Sequence, residues 1–187
     1  YPMAKKKYRF AVLFPAYKED KVIERAVRSF LQHEYPKENY DVVVISDKME
    51  NITNQQLRQL PIDLLIVDFE NSSKAKALNF AIDKLADRDY DMVVILDADN
   101  TVQPDFLQQL GNAYECGANV IQAHRMAKNL NTSIAILDAV SEEINNSIFR
   151  AGHVKLGLSS ALIGSGMAFE YKWFKENIKK VSSAGED

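Results

Sequence analysis

Two hydrophobic patterns alternate along residues 8–124. Short and nearly continuous apolar runs, in which valine and isoleucine are frequent, predict β-strands at residues 8–14, 41–46, 63–67, 92–96 and 120–124. Between these runs, apolar residues recur with the spacing of one helix face, which predicts helices at residues 21–32, 54–60, 74–85 and 104–115. This alternation of strand and helix is typical of an α/β fold with a mostly parallel central sheet flanked by helices.

The apolar runs also indicate how the sheet is covered. Residues 42–45 are Val-Val-Val-Ile, without the polar positions that a strand with one solvent-facing side would have. We therefore expect helices on both faces, right-handed crossovers and a doubly wound parallel sheet. Beyond residue 125 the pattern changes, and it predicts a helix at residues 137–149, a segment rich in glycine and serine at residues 152–165 and a short strand at residues 167–169. No internal repeat is present, and we predict a single domain over residues 1–187.

The composition narrows the classes of protein to which the chain can belong. Of its 187 residues, 47% are hydrophobic and 26% are charged, as in an ordinary globular domain. The 26 acidic residues outnumber the 23 basic ones, which argues against a nucleic-acid binder. The single cysteine, Cys116, has no partner for an internal disulfide, so we expect a reducing, cytoplasmic environment and a thiol that is at least half buried. No apolar run reaches the ~18 residues that a membrane-spanning helix needs.

Polar residues follow the predicted strands where each strand ends. Residues 15–19 (Pro-Ala-Tyr-Lys-Glu) follow the first strand, Ser46 and Asp47 end the second, and residues 97–100 (Asp-Ala-Asp-Asn) follow the fourth. Ligands of open parallel sheets bind outside the carboxyl ends of the strands, so we expect these residues to converge on one edge of the sheet. The sequence therefore predicts a ligand site at that edge.

Asp97 and Asp99 are the candidate metal ligands. Two carboxylates on one turn can hold Mg²⁺ or Mn²⁺ and leave coordination positions open for phosphate oxygens. A departing diphosphate needs such an ion, because its negative charge grows as the bond breaks. An Asp-x-Asp pair by itself is also typical of an acidic turn that caps the next helix, so its place after a buried strand carries the interpretation.

Several segments together resemble the family-2 glycosyltransferases with a GT-A fold, and the likeness covers nearly the whole chain. In chain order, these segments are residues 14–19, 44–47, 73–79, 96–99, 164–169 and 185–187. The third segment departs from the family's Gly-Lys-x-x-Ala-Leu-Asn pattern in having Ser73 in place of glycine, and Lys18 stands where the family usually has asparagine. Gly185 stands in the place of threonine in the family's Thr-Glu-Asp motif.

The resemblance implies an inverting, metal-dependent glycosyltransferase. Such an enzyme moves a sugar from a nucleotide-diphosphate donor, here most naturally a UDP-sugar, to a hydroxyl of a saccharide or lipid-linked acceptor in the synthesis of cell-surface polysaccharide. The expected cofactor is Mn²⁺ or Mg²⁺, and nucleic acid is not an expected partner. Residues 1–125 would bind the nucleotide-sugar and the metal, and residues 126–187 would form the acceptor side. The parent protein would act in the cytoplasm. If segments outside this chain anchor it to a membrane, it would lie at the inner face of the cell membrane.

The resemblance also assigns roles to individual residues. Asp187 would be the general base. Asp97 and Asp99 would hold the metal. The residues expected to bind the nucleotide-sugar are Pro15, Ala16, Tyr17, Glu19, Asp47, Lys74, Asp97 and Ala98. The residues expected on the acceptor side are Gly164, Ser165, Gly166 and Glu186.

The position of Asp187 leads to a further expectation. It is the last residue of the chain, whereas a catalytic domain of this family normally continues past the motif with a helix. A base at a free terminus is poorly held in place. We therefore expect a domain truncated at its C-terminus, which binds its donor but turns it over poorly.

Other functions remain open at the level of the sequence. Residues 93–101 also fit the strand and Asp-x-Asp-x-Thr motif of a haloacid-dehalogenase-type phosphatase, with Lys128 or Lys155 as its lysine and residues 186–187 as its late acidic pair. That reading leaves the strands before residue 70 unexplained. A sugar nucleotidyltransferase would need a glycine-rich loop after the first strand, and residues 15–20 contain no glycine. A catalytically inactive nucleotide-binding module is the non-enzymatic alternative.

Overall fold

The computed structural model describes residues 1–123 and 165–180. The predicted helix at residues 137–149, nearly all of the glycine- and serine-rich segment, and residues 181–187 lie outside the described residues. The strands are β1 (Phe10–Tyr17), β2 (Tyr40–Asp47), β3 (Asp63–Val67), β4 (Met92–Ile95), β5 (Val120–Gln122) and β6 (Met167–Glu170). The α-helices are α1 (Ile23–Leu31), α2 (Asn51–Leu57), α3 (Lys74–Lys84), α4 (Phe106–Glu115) and α5 (Tyr171–Asn177), and short 3₁₀ helices span Lys37–Asn39 and Ile178–Lys180. None of the described helices is long and apolar enough to cross a membrane.

The six strands form one sheet in the order β3-β2-β1-β4-β6-β5. Strands β1 to β4 pair parallel with one another, which confirms the predicted α/β fold with a mostly parallel sheet. The expectation of an all-parallel, doubly wound sheet is wrong at one edge, because β6 pairs antiparallel with both β4 and β5. Apolar residues of β6, such as Ala168 and Phe169, complete the buried surface beside β4. An apolar strand pattern carries no information about which neighbour the strand will pair with, so the sequence alone did not show this insertion.

Helices cover both faces of the sheet, as the continuous apolar runs predict. Side chains alternate across a strand, so Phe10, Val12 and Phe14 of β1 pack on one face with apolar residues of α1 and α4. Ala11 and Leu13 point to the other face and pack with residues of α3 and α5. All five are fully buried. This double cover holds the central strands rigidly and fixes the positions of the loops at their ends.

Strand β1 continues through Pro15 to Tyr17, further than the sequence predicts. Alternate residues of a parallel strand bond to opposite neighbours. The Lys18 amide donates to the Asp47 carbonyl of β2, whereas the Leu13 carbonyl accepts from the Leu96 amide that follows β4. Pro15 therefore faces the β4 side, and the pairing with β4 has already ended at Leu13. The missing N–H of the proline costs no ladder hydrogen bond there.

Contacts between distant segments account for other differences from the predicted elements. Helix α2 begins at Asn51 rather than at residue 54, because the Asp20 carboxylate accepts from the Glu50 amide at 2.8 Å and from the Thr53 hydroxyl at 2.7 Å. This cap comes from outside the helix, so the local sequence does not show it.

Helix α5 was not predicted. The expectation of a buried Cys116 is wrong, since this residue is exposed just after α4.

His33 is expected to make the stability of the fold depend on pH. The residue is 6% exposed, its ring stacks on Phe30, and its Nε2 accepts from the Leu107 amide at 3.0 Å. Burial, assisted by the positive charge of Lys37, lowers the pKa of His33 from 6.5 to about 4. Between these values the unfolded chain binds a proton that the folded protein does not, so the free energy of unfolding should fall as the pH drops from about 6.5 to 4. The expected loss is on the order of 3 kcal/mol.

The measurement is urea unfolding between pH 4 and 7 for the wild type and for His33→Gln. The glutamine retains an acceptor for the Leu107 amide but does not titrate in this range. The difference in unfolding free energy between the two proteins should therefore change with pH in favour of the variant as the solution is acidified. Parallel stability curves would contradict the assignment.

Candidate functional site

An open cleft of about 380 Å³ lies at the carboxyl ends of β1, β2 and β4. The parallel order β2-β1-β4 brings these strand ends side by side, and the start of α3 closes one side of the cleft. The residues that line it are Pro15, Ala16, Tyr17, Glu19, Asp47, Ser72, Ser73, Lys74, Ala77, Asp97, Ala98 and Asp99. The structure thus brings together every residue for which the sequence suggests nucleotide-sugar or metal binding.

Asp47 contributes a buried carboxylate to the cleft. It is the last residue of β2, it is 3% exposed, and it stands in register with Tyr17 of β1. Its Oδ1 accepts a long hydrogen bond of 3.4 Å from the Phe69 amide. A buried carboxylate oxygen retains further acceptor capacity, so a ligand N–H can be recognised here.

The chain leaves the sheet abruptly on either side of Asp47. Lys18 and Lys48, which directly follow β1 and β2, have positive φ angles of 54° and 52°. Residues other than glycine rarely adopt this left-handed backbone conformation, which costs of order 1 kcal/mol or more at each position. The two sharp turns end both strands at the same level, beside Asp47.

Tyr17 and Glu19 form the outer part of the cleft. Tyr17 is 48% exposed, and the Lys18 ammonium lies 5.2 Å from the centre of its ring. This ring is a flat surface on which a planar ligand can rest. Glu19 is also exposed, and its carbonyl accepts from the Ile23 amide at 3.1 Å, so it begins the turn into α1 as well as lining the cleft.

An ion pair joins the two sides of the cleft. The Lys74 ammonium lies 2.7 Å from Asp97 Oδ1, and the lysine side chain is only 19% exposed. Lys74 is the first residue of α3, where the Ser73 side chain accepts from the Lys76 amide and caps the helix. The Lys74 ammonium therefore lies where a cation bound to Asp97 would lie, beside the exposed carboxylate of Asp99.

This arrangement fits a divalent metal ion whose coordination is completed by oxygen atoms of a bound substrate and of water. Asp97 and Asp99 supply hard oxygen donors, and the lysine ammonium on Asp97 stands in for a cation. Within residues 1–123 and 165–180, no group of three or more histidine, cysteine, aspartate or glutamate side chains converges on a metal position. Mg²⁺ is typically held by one or two carboxylates together with substrate phosphates and water. The two aspartates could thus supply the protein ligands of such a site, with the remaining ligands coming from phosphate and water.

Asn100 is a residue of this region to which the sequence analysis gave no role. Its Nδ2 donates to Asp99 Oδ1 at 3.0 Å, its Oδ1 accepts from the Asp97 amide at 3.2 Å, and its own amide donates to the Asp97 carbonyl at 3.0 Å. The Ser165 hydroxyl donates to the same Oδ1. An asparagine directly after an Asp-x-Asp pair was the available signal, but Ser165 is distant in sequence.

The acceptor-side residues are described only in part. Ser165 is 1% exposed and accepts from the Asp97 amide at 2.9 Å. Gly166 has a φ of +68°, and its amide donates to the Ile95 carbonyl at 2.9 Å. Both therefore lie against the end of β4. Gly164, Glu186 and Asp187 lie outside the described residues, so their roles remain predictions.

A second cavity of about 810 Å³ lies at the opposite edge of the sheet, where β1, β2 and β3 begin. Most of its charged side chains form ion pairs with one another. Arg88 pairs with Asp63 and lies 3.5 Å from Asp41, which also accepts from the Tyr90 hydroxyl at 2.6 Å. The hydrogen bond to Asp63 raises the pKa of Arg88. This network ties three strand starts together.

Comparison with known sequences gives a consistent result over most of the chain. A profile described as Glycosyl transferase family 2 matches residues 11–178. Probable glycosyltransferase YdaM of Bacillus subtilis (strain 168) is 28% identical over 100 residues, which represent 50% of this chain and 23% of that protein.

Solved structures resemble the fold. The mannosyltransferase PcManGT from Pyrobaculum calidifontis, in complex with GDP-Man and Mn²⁺, superposes with a TM-score of 0.70 at 21% identity, covering 94% of this chain and 48% of that one. TarS 1–349 from S. aureus, in complex with UDP, gives a TM-score of 0.62 at 18% identity, covering 90% of this chain and 48% of that one. This likeness establishes the GT-A fold, and the chain spans about half the length of these structures.

Proposed function

The chain belongs to glycosyl transferase family 2, and on this basis we propose that it is the donor-binding part of an inverting, metal-dependent transferase of nucleotide-diphosphate sugars. The observation that carries the proposal is the convergence of Tyr17, Asp47, Lys74, Asp97 and Asp99 on one cleft. The aromatic ring and the buried acceptor would serve the base, the lysine would serve the diphosphate, and the two carboxylates of Asp97 and Asp99 would serve the metal.

The base of the donor would lie between Tyr17 and Asp47. The exposed ring of Tyr17 offers a stacking surface, and the buried Asp47 carboxylate can accept from the N3–H of uracil. A buried acceptor discriminates well, because a base without the matching N–H leaves the carboxylate unpaired. Guanine also offers such an N–H, so the preference for UDP over GDP rests on the family resemblance and not on this acceptor.

The diphosphate would lie between Lys74 and the two aspartates. Asp97 and Asp99 would hold Mn²⁺ or Mg²⁺, and the bound ion would neutralise the charge that develops on the departing nucleoside diphosphate. Lys74, at the start of α3, would place its ammonium against phosphate oxygens, where charge-assisted hydrogen bonds are strong.

Transfer would occur by a single in-line displacement. The acceptor hydroxyl oxygen forms a bond to the anomeric carbon while the bond from that carbon to the diphosphate oxygen breaks. Asp187 would take the hydroxyl proton, which as general-base catalysis is typically worth about 10²–10⁴-fold. Gly164, Ser165, Gly166 and Glu186 would belong to the acceptor side. The acceptor would be a saccharide or a lipid-linked sugar in polysaccharide synthesis, with the parent protein at the inner face of the cell membrane.

The test of this proposal is a calorimetric titration of UDP with and without Mn²⁺, followed by titrations of GDP and of UDP-sugars. We expect UDP to bind with Mn²⁺ present, to bind much more weakly without it, and to be preferred over GDP. Metal-independent binding, or no binding of either nucleotide, would contradict the proposal. Release of inorganic phosphate from a phosphomonoester would favour the phosphatase alternative instead.

A further inference from the structure

The turn that carries Asp97 and Asp99 is held by two side chains that lie outside the metal pair itself. Asn100 Oδ1 accepts hydrogen bonds from both the Asp97 amide and the Ser165 hydroxyl. Its Nδ2 donates to Asp99 Oδ1 at 3.0 Å. This bond pattern fixes the orientation of the amide group. In the flipped orientation, Nδ2 would face the Asp97 N–H and Oδ1 would face the Asp99 carboxylate, and neither contact is favourable.

The second anchor, Ser165, is set in the core of the sheet. It is 1% exposed, and its hydroxyl accepts from the Asp97 amide at 2.9 Å while donating to Asn100. Its carbonyl accepts from Gln122 Nε2 at 2.9 Å, and the next amide, that of Gly166, donates to the Ile95 carbonyl. Ser165 is therefore immobilised by strands β4 and β5 on either side.

We infer that Asn100 is a positioning residue for the metal site and that Ser165 is its anchor, an inference that rests on the proposed donor-binding function. Asp99 is exposed, and an exposed carboxylate samples several rotamers unless a neighbour restrains it. The Nδ2–H of Asn100 restrains one oxygen of Asp99, and Ser165 in turn orients the Asn100 amide. The arrangement leaves the second oxygen of Asp99 available for the ion. Ser165 thereby acts on the metal side of the cleft through its hydroxyl.

A hydrogen bond from a neighbouring residue to a metal-binding carboxylate commonly changes metal affinity by roughly 10- to 100-fold. We expect Asn100→Ala to weaken Mn²⁺ binding in the presence of UDP by about tenfold or more. The effect of Ser165→Ala should be smaller, about two- to fivefold, because Asn100 keeps its bond to the Asp97 amide. Neither residue lines the cleft, so neither change removes a direct contact with the ligand.

The experiment measures free Mn²⁺ by electron paramagnetic resonance at saturating UDP for the wild type and both variants. Asn177→Ala is the matched control, since Asn177 of α5 also donates through its side-chain amide, in an exposed hydrogen bond of 2.8 Å to the Trp173 carbonyl. Thermal unfolding without ligands is measured in parallel. A loss of Mn²⁺ affinity with an unchanged melting temperature supports a positioning role.

Each other outcome overturns a defined statement. If the wild type binds Mn²⁺ with UDP and both Asn100→Ala and Ser165→Ala bind it equally well, the positioning role is wrong and the proposed function stands. If Asn100→Ala does not fold, Ser165→Ala decides the question by the same comparison. If the wild type itself does not bind Mn²⁺ in the presence of UDP, the proposed function fails, and the inference fails with it.

Discussion

Replacing Asp99 with alanine is expected to reduce the Mn²⁺-dependent affinity for UDP by at least about 100-fold. Asp99 supplies one of the two carboxylates on the turn after β4 that we assign to the ion. The interaction of such an ion with a diphosphate is worth several kcal/mol, and each 1.4 kcal/mol corresponds to about tenfold in affinity. The measurement is calorimetry with UDP at saturating Mn²⁺.

The stability of the Asp99→Ala variant should be close to that of the wild type. Asp99 is exposed, and within the described part of the chain its side chain accepts a hydrogen bond from Asn100 alone, so its removal leaves no buried group unpaired. Asp87→Ala is a suitable control, because Asp87 is also exposed but lies in the turn before β4, at the opposite edge of the sheet. UDP affinity that is equally reduced in both variants would point to net charge rather than to a metal ligand.

Replacing Lys74 with methionine is expected to move two affinities in opposite directions. The Lys74 ammonium lies 2.7 Å from Asp97 Oδ1, so Mn²⁺ and the lysine compete for the same carboxylate. A diphosphate offers the ammonium new partners and thereby frees Asp97 for the ion. Methionine has nearly the same shape without the charge. Mn²⁺ alone should therefore bind several-fold more tightly to Lys74→Met, whereas UDP with Mn²⁺ should bind roughly 10- to 100-fold more weakly, as expected for the loss of charged hydrogen bonds.

Lys76→Met is the matched control for this experiment. Lys76 lies two residues further along α3, is exposed, and donates to the Asn71 carbonyl rather than into the cleft. We expect both affinities to be close to those of the wild type. If Lys74→Met weakened Mn²⁺ and UDP binding together, the competition for Asp97 would be wrong, although a role of Lys74 in binding the diphosphate would remain.

The sequence was informative about the cleft because each strand ends at a recognisable boundary. The apolar run at residues 42–45 stops at Ser46 and Asp47, and the run before Asp97 stops in the same way. Parallel strands bring such boundaries to one edge without any further information. The cleft residues at the strand ends could therefore be named from the sequence pattern, whereas Lys74 of α3 was named only from the family resemblance. The roles of all of them are still to be tested by experiment.

Features that depend on contacts between distant segments could not be predicted in this way. The role inferred for Asn100 depends on Ser165, which is 65 residues away in the sequence. The cap that starts α2 comes from Asp20, and the place of β6 depends on the free edge of β4. Local patterns identify strands and helices, but they do not specify which partners meet in three dimensions.

The insertion of β6 between β4 and β5 has a consequence for the order in which the protein can assemble. Strands β1 to β4 occupy residues 10–95 and pair among themselves, so they can associate as soon as this stretch has been synthesised. Among the described strands, β5 pairs with β6 alone, and β6 is the last of them to be synthesised. Of these strands, only β6 covers the apolar edge of β4, so until residues 167–170 leave the ribosome this edge is open to association with other nascent chains. Closing this edge late in synthesis is the step at which a chaperone would be of most use.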